Sequence, residues 1–135
     1  MNVIYSLTED HIAQLHALYQ QEWWTKGRTI EETKSCVAGS QICVGLISAN
    51  GELVGFARVL TDFTCKALIF DVIVRKDHRK TGLGDKLLSL IKSHEKLHNV
   101  KHFELYCLPE MYGFYTKHGF TTNTGEIRLM RSTNA

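Results

Sequence analysis

The run Val72-Ile73-Val74, followed by Arg79-Lys80-Thr81-Gly82-Leu83-Gly84, holds the residue types that an anion needs. An apolar strand leads into a glycine-bearing loop, and the loop leads into a helix. The free amides of such a helix start point outward, and the helix dipole adds positive potential. An end of this kind binds phosphate. Glycine lets the backbone come close to the anion. Arg75, Lys76, Arg79 and Lys80 bring charge to the same end. The plain alternative is a basic turn before a helix. The loop is not a Walker A sequence, since no Gly-Lys-Ser/Thr follows the glycines. It is not a dinucleotide fingerprint either, since the third glycine would fall at Leu87.

Two further groups could do chemistry. Asp71 lies inside the apolar run Ala67–Val74. A carboxylate there is costly unless it is paired or functional. It could act as a base toward a substrate, directly or through water, or it could be a structural carboxylate bonded to backbone amides. Simple alternation puts Asp71 and Ile73 on one face, and Phe70, Val72 and Val74 on the other. Glu22, Asp62 and Glu110 are weaker candidates for a base. The second group is His94-Glu95-Lys96-Leu97-His98, which matches H-E-x-x-H. On one continuous helix its two imidazoles would share a face and could grip zinc, as in a metallopeptidase. The match sits at the expected last turn of its helix, with no clear third ligand downstream, so no metal is expected. Cys36, Cys43, Cys65 and Cys107 have no CxxC spacing and read as reduced thiols packed like small hydrophobes.

These groups need a scaffold. Asn2 to Leu7 reads as a strand. A helix then begins near Ser6 or Thr8, where Ser6-x-x-Glu9 fits a capping box, and Ile12, Leu15, Leu18 and Tyr19 form its apolar stripe. Thr29-x-x-Glu32 marks a second helix. Gln41–Ser48 and Glu52–Leu60 read as strands joined at Ala49-Asn50-Gly51, with Asn-Gly suited to a type I′ turn. Ala67–Val74 reads as a strand buried on both faces. A long helix follows, with Leu83, Leu87, Leu90, Ile91, His94 and Leu97 on one side. His102–Tyr106 is a further strand, and Pro109–Lys117 a short helix with proline in its first turn. Gly119 ends that helix, and Phe120–Met130 is expected to return as one or two closing strands. The expected order is β-α-α-β-β-β-α-β-α-β, an α/β (α+β) fold whose mixed sheet carries helices on both faces.

Composition limits the partners. The chain has 135 residues, 44% of them hydrophobic, with a net charge of +2. That is one ordinary domain with a real core. The charge is too small to argue for nucleic acid or an anionic membrane. No apolar run is long enough to span a bilayer. The N-terminus lacks a signal-type pattern, so the expectation is a chain that starts near Met1 and stays in the cytoplasm.

Arg79-x-x-Gly82-x-Gly84 after a strand ending in Val74 resembles the pyrophosphate loop of the GNAT superfamily of acyl-CoA-dependent N-acyltransferases. Phe114-Tyr115-Thr116-Lys117-His118-Gly119-Phe120 is similar to the Phe-Tyr-x-Lys-x-Gly-Phe block that closes the cofactor site in that family. The two blocks have the family's order and separation, and the element order extends the resemblance over essentially the whole chain, residues 1–135, as a single N-acetyltransferase domain. The resemblance implies a central mixed, mostly antiparallel sheet. It implies that Val72, Ile73 and Val74 pair with the pantetheine arm of acetyl-CoA. The loop Arg79, Lys80, Thr81, Gly82, Leu83 and Gly84 would hold the pyrophosphate, and Phe114 and Tyr115 would complete the site. Tyr115 would protonate the departing CoA thiolate, and a phenol with an unperturbed pKa near 10 suits that donation. A backbone amide near Ile73 or Val74 could stabilise the oxyanion. The family's N-terminal helices and the end of the sheet shape the acceptor pocket, which makes Tyr19, Trp23 and Trp24 candidate walls, with plain core packing as the alternative; Lys26 and Arg28 could attract an acidic acceptor or simply be solvated. Many relatives carry asparagine where this chain has Leu108, which puts any cofactor contact by that asparagine in doubt.

The resemblance therefore implies transfer of acetyl from acetyl-CoA, as co-substrate and without metal, to a primary amine by direct attack in a ternary complex. A chain this short points to a small-molecule acceptor. A non-catalytic CoA-binding domain would keep the loop without turnover. Two copies could pair through edge strands as a homodimer.

Overall fold

The computed structural model describes residues 1–134. Its elements in order are β1 (Asn2–Ile4), α1 (Glu9–Tyr19), α2 (Ile30–Ala38), β2 (Ile42–Ile47), β3 (Leu53–Thr61), β4 (Lys66–Val74), α3 (Leu83–Lys92), β5 (His102–Leu105) and α4 (Tyr112–Thr116). The strands form one sheet in the order β1-β2-β3-β4-β5. Neighbours are antiparallel from β1 to β4, and β4 and β5 are parallel.

Local chemistry starts α1 and α2. Thr8, not Ser6, caps α1: its hydroxyl accepts from the His11 amide at 3.2 Å, and His11 Nδ1 accepts from the Thr8 amide at 3.1 Å. The expected Ser6/Glu9 box is thus replaced by one two residues later, in which an imidazole takes the role of the carboxylate. At α2 the expected box forms, with the Thr29 hydroxyl accepting from the Glu32 amide at 3.0 Å and the Glu32 carboxylate accepting from the Thr29 amide at 2.9 Å. The β2–β3 hairpin turns at 49–51, but only Gly51 has a positive φ, +79°. It is therefore a three-residue loop closed by a left-handed glycine, not a type I′ turn.

Apolar residues cover both sheet faces. On one face Leu83, Leu87, Leu88 and Ile91 of α3, with Tyr115 of α4, pack on Val44, Leu46, Ala57, Val59, Ala67 and Ile69. On the other, Leu15, Leu18 and Tyr19 of α1 pack on Cys43, Leu53, Phe56 and Ile73. In β4 the deeply buried residues Ala67, Ile69, Asp71 and Ile73 alternate with half-buried Leu68, Phe70, Val72 and Val74.

Strict alternation fails inside β4. Phe56 pairs with Ile73 and Arg58 with Phe70, so Ala57 of β3 faces two residues, Asp71 and Val72. This is a β-bulge, and Asp71 sits in it with φ +57°. The extra residue shifts the parity. Val72 and Val74 join Ala67 and Ile69 on the α3 side, while Asp71 and Ile73 face α1. Phe70 stays with Asp71, since both meet the Arg58 side chain. Simple alternation had put Phe70 with Val72 and Val74.

β5 pairs with β4 only as far as Leu105 opposite Ile69. Beyond that pair β4 runs on to Val74 with no partner strand on this edge among the described residues, which leaves an unpaired gap, or cleft, between β4 and the chain that follows β5.

Two expected elements do not form. Residues 121–134 contain no strand and are exposed, so the order ends β-α rather than with closing strands. Only Phe120 packs inward. The polar run Thr121–Thr124 offers nothing to bury, Gly125 turns the chain at φ +71°, and Ile127, Leu129 and Met130 face solvent. Secondly, α3 stops at Lys92 instead of running through His94 and Leu97; a separate 3₁₀ turn spans Glu95–Leu97. His94 begins that turn, its Nδ1 accepts from the Lys96 amide at 3.1 Å, and its ring meets Tyr5 edge-on at 5.4 Å. The α-helix that a zinc-binding H-E-x-x-H needs ends at Lys92, before either histidine, and His94 itself is extended at the head of a separate 3₁₀ turn, which removes the support for the metallopeptidase alternative.

Candidate active site

The mouth of the cleft is the loop between β4 and α3. After Val74 a 3₁₀ turn covers Lys76–His78, and Lys80 and Gly82 adopt left-handed φ values of +65° and +82°. Among the described residues no side chain caps α3. Two left-handed residues just before a helix start without a side-chain cap leave the first backbone N–H groups of α3 available, an arrangement that can serve as an anion nest. Gly82 supplies the left-handed conformation, and a Cβ there would meet nothing within 4 Å, so the approach to these amides is open.

The loop's cations divide. Arg75 is paired with Glu52 and Asp77, each at 2.7 Å, so it does not add free charge to the nest as the sequence suggested. Arg79 holds the Glu22 carboxylate and donates to the Val74 carbonyl at 3.2 Å. Lys76 and Lys80 form no ion pair among the described residues and are exposed.

The second sequence block closes on the first. The Phe114 ring lies against Gly84, and a Cβ on Gly84 would be 3.1 Å from Phe114 Cζ. Asp85, in the first turn of α3, contacts His118 Nε2 at 2.8 Å and Lys117 Nζ at 3.4 Å. Tyr115 is 9% exposed, between the Phe114 and Phe120 rings. No buried side-chain polar atom lacks a hydrogen-bond partner among the described residues, so the Tyr115 hydroxyl, which makes no hydrogen bond, reaches the surface. Burial, and then the nearby Cys107, push its pKa up to about 12. The phenol therefore stays protonated throughout the neutral range and can donate.

At the closed end of the cleft, Phe70 and Tyr106 meet edge-on at 5.7 Å, just past the last β4–β5 pair. Asp71 lies beside them on the α1 face. Its carboxylate accepts from Arg28 Nη1 at 2.6 Å and Nη2 at 3.2 Å, from Arg58 Nε at 2.6 Å, and from the Tyr19 hydroxyl at 2.9 Å. Burial opposes its charge, but the hydrogen bonds and charges of the two arginines prevail and hold its carboxyl below the ordinary range. Such a carboxylate is a poor base. The geometry favours the structural reading of Asp71, with side chains rather than backbone amides as its partners.

Tyr19, expected as a pocket wall, is 0% exposed. Burial, followed by the charge of Asp71, drives its phenol far above the ordinary tyrosine value. It belongs to the Asp71 cluster. Trp23 and Trp24 are 71% and 41% exposed, in the connection between α1 and α2. That connection is tied to the end of β4, because Gln21 donates to the Val74 carbonyl at 3.0 Å and accepts from the Lys76 amide at 3.3 Å. The two indoles are thus anchored near the loop, not inside the core.

Sequence reasoning missed Arg58 and Gln21. A signal for Arg58 existed: a lone cation in the apolar run 53–60, one strand away from the lone carboxylate of 67–74, invites a buried pair across the ladder. Gln21 carried none, since its role depends on where the α1–α2 connection lands. Leu108 is exposed, directly before the 3₁₀ turn Pro109–Met111 that leads into α4.

Comparison with known proteins agrees with this arrangement. The family model described as acetyltransferase (GNAT) domain matches residues 38–122. An N-acetyltransferase, ycf52, of Pyropia yezoensis is 28% identical over 123 residues, covering 89% of this chain and 70% of that protein. A crystal structure of a GNAT-family acetyltransferase from Xanthomonas campestris pv. campestris superposes with a TM-score of 0.83 at 26% identity, covering 99% of this chain and 94% of that one. An aminoglycoside 6′-N-acetyltransferase complexed with coenzyme A shares the fold, with a TM-score of 0.67 at 19% identity over 78% of this chain and 61% of its own. With the family match spanning more than half of its length, the chain belongs to the GNAT family and is an acyltransferase that carries out acetyl transfer.

Proposed function

We propose that the protein moves acetyl from acetyl-CoA to a primary amine of a small molecule, by direct attack with both substrates bound. The observation that carries this reading is the uncapped start of α3, with left-handed Lys80 and Gly82 at the open end of a cleft between β4 and β5. Backbone amides of residues 80–84, with Lys80 beside them, suit a pyrophosphate. The free edge of β4 over Val72, Ile73 and Val74 suits the amides of an extended pantetheine arm. Lacking a Cβ at Gly84, the first turn of α3 lets Phe114 close down beside that arm.

Acetyl-CoA, when bound, supplies an activated thioester carbonyl. The chain's part is to hold, polarise and protonate. A β4 amide near Ile73 or Val74 donates to the oxygen that gains charge as the neutral amine adds. The Tyr115 hydroxyl, kept protonated by burial, donates its proton to the leaving thiolate, and the proton that the attacking nitrogen sheds returns through solvent to the phenolate. Asp71 fixes Arg28, Arg58 and Tyr19 beside the reaction path instead of taking the amine proton.

The test is amine-dependent thiol release from acetyl-CoA. Wild type should release thiol with at least one primary amine. Tyr115→Phe should keep its affinity for acetyl-CoA and lose about 100-fold or more in kcat. Unchanged turnover in that variant would remove Tyr115 from the mechanism.

A further inference from the structure

The Asp71 cluster is charge-unbalanced. Two guanidiniums, Arg28 and Arg58, share one carboxylate, and Tyr19 contributes only a neutral donor. Neither arginine has another ion-pair partner among the described residues. The side chains are 25% exposed at Arg28, 11% at Arg58 and 3% at Asp71, so most of this excess positive charge is withdrawn from water. A half-buried cation without a full counter-charge is costly, and a guanidinium is shaped to grip a planar or tetrahedral anion.

Its position gives the charge a use. Asp71 lies in the β4 bulge, two residues beyond the last β4–β5 pair, at the closed end of the cleft. Arg28 reaches Asp71 from the α1–α2 connection, and Arg58 reaches it from β3. The outer donors of Arg28, including its Nε, make no hydrogen bond among the described residues. Arg58 Nη1 has only a long contact of 3.4 Å, to Ser40 Oγ. Phe70 lies 5.2 Å below the Arg58 guanidinium, and Tyr106, 56% exposed, extends this apolar wall to the surface. The result is a cationic patch backed by aromatic rings, beside the place where the acetyl group would be presented.

We propose that the acceptor carries an anionic group, carboxylate or phosphate, close to its amine, and that Arg28 and Arg58 receive it. This inference rests on the acetyltransferase reading above. Arg28, the more exposed of the two, is the main receptor. Arg58 supplies the second charge, and Asp71 positions both without touching the substrate.

The experiment uses the full chain, acetyl-CoA and matched amine pairs that differ only in the anion. Carboxylate pairs are tyrosine with tyramine and tryptophan with tryptamine. Phosphate pairs are phosphoethanolamine with ethanolamine and glucosamine 6-phosphate with glucosamine. At least one anionic member should exceed its neutral twin by about tenfold or more in kcat/KM, mainly through a lower KM. Which set responds identifies the anion. In Arg28→Gln the preference should fall toward unity, and Arg28→Lys should restore part of it. Neutral twins that match or beat every anionic member overturn the inference. So does a preference that Arg28→Gln leaves intact, or a failure to acetylate any anionic amine. If Arg28→Gln does not fold, the wild-type pairs decide alone. A parallel titration with acetyl-CoA separates the two readings: absent binding removes the acetyl-CoA reading, whereas binding with neutral amines preferred removes only this inference.

Discussion

Gly84 and Phe114 are in contact, and the space that glycine leaves open is the space the ring fills: a Cβ on Gly84 would lie 3.1 Å from Phe114 Cζ. This contact joins the two sequence blocks that are 30 residues apart and sets α4 against the first turn of α3. Gly84→Val should therefore push α4 away and destabilise the fold by about 1–3 kcal/mol. Thermal unfolding of Gly84→Val and of Gly84→Val/Phe114→Leu checks this. The double variant should recover part of the loss, and equal melting temperatures in all three proteins would contradict the packing.

Gly82 has the opposite profile. Its Cβ position is open and its φ is +82°. Gly82→Glu should thus cost modest stability, about 1–2 kcal/mol for the left-handed backbone, while placing negative charge against the loop amides. Titration calorimetry should show acetyl-CoA binding lost from a protein that still unfolds cooperatively.

Asp71 should behave as a structural anchor. Asp71→Asn leaves two half-buried guanidiniums without a counter-charge, with an expected loss of about 3–5 kcal/mol in denaturant unfolding. Because the folded-state pKa lies below the ordinary 3.8, its contribution is present above that value and is lost as pH falls through the folded pKa. The acid limb of the stability profile should flatten in Asp71→Asn. An unchanged limb would mean that the carboxylate is not held by the arginines.

The tyrosines work in the other direction. The folded-state pKa of Tyr115 is raised from 10.0 to about 12. Its contribution is full below pH 10.0 and is lost as pH climbs toward about 12, because the unfolded chain releases the proton first. Tyr115→Phe should reduce the slope of stability against pH over that window. The slope follows from chemical denaturation at a series of pH values.

The sequence made the loop, the helix starts and four of the five strands legible with near-correct bounds, because their signals are local: capping boxes, period-2 apolar runs and a glycine turn. The bulge at Asp71 was not legible. It arises from register between β3 and β4, and single-strand alternation cannot show where one residue faces two. That same register made Tyr19 a core residue in place of a pocket wall, by drawing its hydroxyl to Asp71. The closing strands were overread from Ile127, Leu129 and Met130, which alternate or adjoin as strand residues do but find no neighbouring strand here. The length of α3 was overread for a similar reason: His94 and Leu97 fit the helical period, yet the chain leaves the helix at Ser93 and Leu97 reaches the core from a separate turn.

The central claim is that the α3 start and the β4–β5 cleft form an acetyl-CoA site. Calorimetric titration of the full chain with acetyl-CoA, alone and in the presence of excess ATP, tests it most directly. Binding in the micromolar range that excess ATP leaves unchanged, and that Gly82→Glu abolishes, is the predicted result. No heat of binding, or displacement by ATP, would contradict it.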